Sequence, residues 1–148
     1  MPEERRIRQP RQYEDLFRTL IGEDNSVFAN KAQVLLFAAA VGFNEGKRTS
    51  FKDSLEPILM STFENLGRNF QTVLDTLAVA DQKDIAILSQ ENFRNRILIF
   101  EEYACTGLEV LKNRLESQNS QLDAVIAMLS EQQAQGEEVQ GDVLSYFL

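Results

Sequence analysis

The chain has 148 residues, 43% of them hydrophobic, with a formal net charge of −8, one cysteine and no histidine. That length predicts one domain, able to bury about two thirds of its unfolded surface without a disulfide or a metal. The missing histidine excludes Ser-His and Cys-His nucleophile pairs, histidine zinc sites and the commonest general base, and the lone Cys105 fits a reducing cytosol.

The opening is charged and has no apolar stretch behind it, so neither a signal peptide nor an anchor is expected and the protein is placed in the cytoplasm. Residues 5–12, RRIRQPRQ, hold four arginines and no acid and read as a short extended arm. Pro10 can open a helix over 10–21, with Tyr13, Leu16, Phe17, Leu20 and Ile21 at helical spacing. The linker Glu23 to Ala29 then delivers the chain to Asn30, whose partner Gln33 completes a variant capping box.

Between Ala32 and Phe43 only Gln33 and Gly42 are not apolar, so this segment has no solvent face and must be covered on every side. At about a dozen residues it is too short to cross a bilayer, which takes roughly 20. It reads as the central helix of the domain, with Gly42 and Gly46 as flexible exits and Lys47 and Arg48 beyond the carbonyl end. Pro57 blocks a helix in the next stretch, where Ile58 to Phe63 reads as a short strand or an irregular crossing. Phe70, Val73, Leu74, Leu77 and Ala78 restore the helical period up to about residue 81, and a turn and the short apolar piece Ile85 to Leu88 follow.

From Glu91 the spacing predicts the longest helix, through Phe93, Ile97, Phe100, Ala104, Leu108, Leu111 and Leu115. Its first half is expected to lie against the central helix. Leu122, Val125, Ile126 and Leu129 keep that spacing after the polar patch Ser117 to Ser120, where the helix either runs on or folds back. Residues 131–148 read as an acidic flexible tail that ends in an apolar hook, Val143, Leu144, Tyr146, Phe147 and Leu148. The expected fold is therefore mainly α, a compact bundle of four or five helices over residues 1–130, with room for one short β element from the arm or from Ile58 to Phe63.

Charge is spread unevenly. Counting Lys and Arg against Asp and Glu, residues 1–48 carry +1, residues 49–100 carry −2 and residues 101–148 carry −7. Only the N-terminal third can face phosphates, through Arg5, Arg6, Arg8 and Arg11, joined by Lys47 and Arg48 if the arm folds near the exit of the central helix. The apolar hook packs on its own domain or docks in a partner's groove. Glu101, Glu102 and Glu109 read as a solvated helix face, since nothing supplies further metal ligands by spacing. Glu45 and Lys47 form Glu-x-Lys, the end of a metal-dependent nuclease signature, but at a helix exit rather than on a strand. Cys105 reads as a small buried hydrophobe, and Phe93, Phe100 and Tyr103 as core aromatics, Tyr103 with its hydroxyl at the edge.

Four stretches, RRIRQPRQYEDLF, VLLFAAAVGFNEGKR, LDTLAVA and IFEEYACTGLEVL, resemble in order and spacing the small accessory proteins of bacterial DNA phosphorothioation (Dnd) systems, specifically the fourth Dnd-associated family. The resemblance spans about residues 5–115; Cys105 and Thr106 and the long tail depart from it. It implies association with phage-defence loci that place sulfur in the DNA backbone, and it implies no reaction, cofactor or site residues. The function expected is that of a non-catalytic accessory that binds a protein of the Dnd modification or restriction machinery, and DNA through the arginine arm. No cofactor, metal or membrane is expected, and a homodimer is left open. Two alternatives stand beside it: a ribbon-helix-helix transcriptional regulator, whose arms pair across a dimer, and a small metal-dependent nuclease subunit.

Overall fold

The basic opening of the chain is built into the domain along one edge. The computed structural model describes residues 5–22, 26–66, 70–117 and 120–136, the last six of these by their backbone alone. Strand β1 (Arg6–Ile7) pairs antiparallel with β2 (Ile58–Leu59), Arg6 opposite Leu59 and Ile7 opposite Ile58. Beyond the strands the same pairing continues, with Leu55 N–H donating to Gln9 O at 2.9 Å and Arg11 N–H to Asp53 O at 3.0 Å. The two segments expected as alternative sources of β structure each supply one strand of a single ribbon. Ile7, fully buried, pins that ribbon to the core.

Pro10 stays extended and a 3-10 turn over Arg11–Tyr13 precedes helix α1 (Glu14–Gly22), so the regular helix begins four residues later than expected. The apolar run after Asn30 forms α2 (Lys31–Glu45), and every residue from Ala32 to Gly42 except Gln33 and Leu36 is buried. Asn30 Oδ1 accepts from Gln33 N–H at 3.0 Å. The reciprocal bond reaches one residue further back than in a standard capping box: Gln33 Oε1 accepts from Ala29 N–H at 2.7 Å. Gly46 ends the helix in the left-handed region at φ 73°, its N–H bonded to Phe43 O.

Pro57 does exclude a helix across it, yet a five-residue helix, α3 (Met60–Glu64), starts directly after β2 and buries Met60 and Phe63. The short-strand expectation stopped being right at Met60. A helix this brief shows only two core positions, too few to register as a period. Helix α4 (Phe70–Gln82) buries the five residues whose spacing announced it. It ends at Lys83, a non-glycine residue held at φ 54°. Two 3-10 turns, Ile85–Leu88 and Gln90–Asn92, lead into α5 (Phe93–Ser117).

The chain does not continue as one helix past Ser117: α6 (Gln121–Gly136) begins anew, its first turn capped by Ser120 Oγ accepting from Asp123 N–H. Gln121 holds it back onto the body, donating from Nε2 to Thr19 O at 2.7 Å and accepting the Val27 N–H at 3.3 Å. Ala124, Val125 and Met128 are buried there. The backbone is helical to Gly136, so the first six residues of the expected tail belong to α6, and the hook Val143 to Leu148 lies outside the described residues. Among the described residues, no helix is long and apolar enough to cross a membrane.

Gly42 is no exit. It sits inside α2 against α5, where a Cβ would lie 1.9 Å from Tyr103 O; in return a Cβ on Gly107 of α5 would lie 1.8 Å from Ala38 O. Each helix uses a missing side chain to admit the other's backbone. Around this crossing Phe63, Phe70 and Phe100 stack with ring centroids 4.7, 5.2 and 5.9 Å apart. Ala substitution at Gly42 or Gly107 is expected to cost about 3 kcal/mol or more, because backbone rather than a flexible side chain must move. Gly22→Ala, with nothing near its Cβ position, is the control; urea denaturation of the three variants checks the contrast. Lys83→Gly is expected to raise stability by up to about 1 kcal/mol by relieving a side chain from the left-handed region, read from the shift in melting temperature.

Candidate functional site

The consecutive carboxylates Glu101 and Glu102 of α5 each receive an arginine from a different part of the chain. Glu101 is 3% exposed, not on a solvated face. Its Oε2 accepts Arg8 N–H at 2.6 Å and its Oε1 accepts Arg8 Nε and Nη2, both at 2.9 Å. Arg8 also stacks over Phe51, 4.5 Å from the ring centroid. The solvated-face expectation failed here because Ile97, Glu101 and Cys105 share one buried stripe at four-residue spacing, and the neutralising cation comes from 93 residues away. Glu109 is exposed, as expected.

Glu102 meets Arg48, which leaves α2 just beyond the Gly46 cap. Arg48 Nε lies 3.5 Å from Glu102 Oε1 and its Nη1 3.3 Å from Asp81 Oδ2. The Tyr103 hydroxyl donates to the other oxygen of Asp81. Thr49 N–H donates to Glu102 O at 3.1 Å, and the Thr49 and Thr106 hydroxyls are 2.7 Å apart. The arm and the α2 exit therefore do converge, each on its own carboxylate of α5.

The other cations singled out in the sequence have separate placements. Arg11 is exposed and donates from Nη2 to Ser54 O; Arg5 is exposed, 5.8 Å above the Phe93 ring; Lys47 is exposed after the Gly46 cap. Among the described residues, Arg6 reaches one carboxylate, Glu56, at 3.9 Å. Sequence reasoning missed two arginines. Arg96 is buried, donating from Nη1 to Ile87 O at 2.6 Å and Ser89 O at 2.9 Å, with Nε 2.9 Å from Asp75 Oδ1 at an angle that makes the contact ionic. Arg94 lines a cleft of about 440 Å³ together with Arg6, Arg8 and Glu101. Neither stood out because both lie in a helical stretch of mixed charge, without a run of like residues.

Burial pushes the Glu101 carboxyl above its usual range, while the Arg8 backbone N–H, the Arg8 guanidinium and the Arg94 charge pull the other way without cancelling it. Cys105 is fully buried with its thiol pushed up to about 11, chiefly by burial, so it is a packing residue rather than a thiolate nucleophile. Tyr13 is pushed up to about 12 for the same reason. Glu45 and Lys47 flank the helix cap rather than sharing a strand. Among the described residues, no group of three or more His, Cys, Asp or Glu can hold a metal ion. The arm pairs with β2 of its own chain, where a ribbon-helix-helix layout pairs it with a second copy.

Replacing Arg8 with Met strips the guanidinium from a buried carboxylate and is expected to cost about 3 kcal/mol near neutral pH. The folded-state pKa of Glu101 lies above its unfolded value, so ionisation weighs against the folded state and that cost is lost as pH falls through the folded pKa. The deficit of Arg8→Met should thus narrow from neutral to acidic pH. Urea denaturation across that range checks it, and Glu101→Gln should abolish the pH dependence.

Residues 6–147 match the family model described as DNA sulphur modification system-associated protein 4. The match includes the tail that the four resembling stretches left out. No curated protein and no solved structure matches the chain.

Proposed function

Because the chain belongs to the DNA sulphur modification system-associated protein 4 family, we propose that it is a non-catalytic accessory of a DNA-sulphur-linked antiviral defence system in the bacterial cytoplasm. It acts by binding a protein of the modification or restriction machinery, with DNA contact through the N-terminal cations as a second component. The observation that carries the protein-binding part is on α6. Leu122 and Ile126, one turn apart, are 55% and 50% exposed, while Ala124, Val125 and Met128 on the other side of the helix fill the core. Val27, whose N–H bonds to Gln121 at the start of α6, is also 38% exposed. Apolar groups grouped in this way on an otherwise acidic third of the chain support a docking face.

The interior charges support a binding role in another way. Arg8, Arg48 and Arg96 are engaged by carboxylates in contacts that hold segments together. Such pairs place and stiffen a surface.

Affinity purification of the tagged chain from its native host, with nuclease treatment, tests the reading. Proteins of the sulphur modification or restriction machinery are expected to co-purify and to be lost on Leu122→Asp with Ile126→Asp. Deleting Val143 to Leu148 should weaken the same complex without unfolding the domain. Recovery of DNA alone, lost on nuclease treatment, would overturn the protein-binding part.

A further inference from the structure

We propose that the cleft between the arm and the start of α5 is a binding site for a phosphate monoester, as carried by a nucleotide or by the 5′ end of a nucleic-acid strand. The cleft, about 440 Å³, is lined by Arg6 from β1, by Pro57 just before β2, and by Arg94, Asn95, Ile97 and Leu98 from α5. That volume is in the range of small-molecule sites. Arg8 and Glu101 also reach it, but each satisfies the other: both Glu101 oxygens are occupied by Arg8, so the pair adds little net charge.

The cations of the cleft that no close ion pair holds are Arg6 and Arg94, the latter acting on Glu101 only at a distance. Arg6 lines the cleft, and its Nε is buried with no hydrogen-bond partner among the described residues. Among the described residues its one ion pair is a long one of 3.9 Å to Glu56, whose side chain is 89% exposed. Arg94 has no ion pair among the described residues. Two guanidinium groups that enter from different elements match a tetrahedral dianion, which offers oxygens in more than one plane. A carboxylate presents a single planar pair of oxygens, and one arginine suffices for it, as Arg8 and Glu101 demonstrate in the same cleft. Beside the cations, Pro57, Ile97 and Leu98 form an apolar wall, and Leu98 is 39% exposed. Such a wall suits the flat face of a base next to the phosphate.

The inference deepens the phosphate-contacting component of the proposed function and rests on it. It is tested on the isolated full chain without any partner, so the two fail separately. Calorimetric titration at low salt would compare thymidine 5′-monophosphate with thymidine, and 5′-phosphorylated with 5′-hydroxyl hexathymidylate. Saturable binding is expected for at least one phosphorylated ligand and not for its unphosphorylated counterpart. Tighter binding of the phosphorylated strand would identify a strand end as the source, and equal binding a free nucleotide; both support the site. Arg6→Gln and Arg94→Gln should each weaken binding about tenfold or more, a loss of about 1.4 kcal/mol or more. Both residues are at the surface, so circular dichroism melts should stay unchanged, and Lys112→Gln, elsewhere on α5, should bind as the parent does. Equal binding of ligands with and without phosphate, binding undiminished in both arginine variants, or equally tight binding of a hexaglutamate peptide would overturn it.

Discussion

The contact on which this structure depends is the crossing of α2 and α5 at two glycines. A helix with no solvent face must be covered on all sides, and α2 achieves this by letting α5 approach until backbone touches backbone, at Gly42 against Tyr103 and at Gly107 against Ala38. So close an approach buries the small side chains Ala38, Ala39 and Ala104, which would leave voids between helices held at the usual 8–10 Å. The remaining elements pack around this pair.

The same crossing sets the electrostatics. With α5 held against α2, Glu101, Glu102 and Tyr103 are fixed next to the point where the chain leaves α2 and the arm returns. Arg8 and Arg48 close onto those groups, so that two of the cations that give the N-terminal third its positive balance serve as internal ties. Burying Glu101 is unfavourable by itself, and the Arg8 backbone N–H and guanidinium offset much of that cost. What is left for an outside ligand is narrower than the basic run suggests: Arg6 and Arg94 at one cleft, with Arg5, Arg11 and Lys47 exposed outside its lining. Two surface features are thereby chemically distinct, a cationic cleft beside the arm and the exposed apolar Leu122 and Ile126 on the acidic α6.

Much of the fold was legible in the sequence. Five- to seven-residue apolar patterns at helical spacing announced α1, α4 and α5, and the solid apolar run announced α2, because burial of a helix face leaves a period behind it. The family resemblance was legible too, from the order of four words rather than from any site. Less visible were α3, too short to show a period, and the true role of Gly42, since a glycine near a helix end reads equally well as a cap or as a packing contact.

The sequence by itself determined the helical class, the central place of residues 32–43, the absence of histidine chemistry and the segregation of charge, all of which depend on composition or on neighbours within a few turns. Only the tertiary structure decided which carboxylate is buried, which arginines are already engaged and which remain open, and that the two β segments are partners. Those outcomes depend on groups such as Arg8 and Glu101, 93 residues apart, whose charges are settled by the three-dimensional neighbour each one meets. Local pattern carries no information about that neighbour.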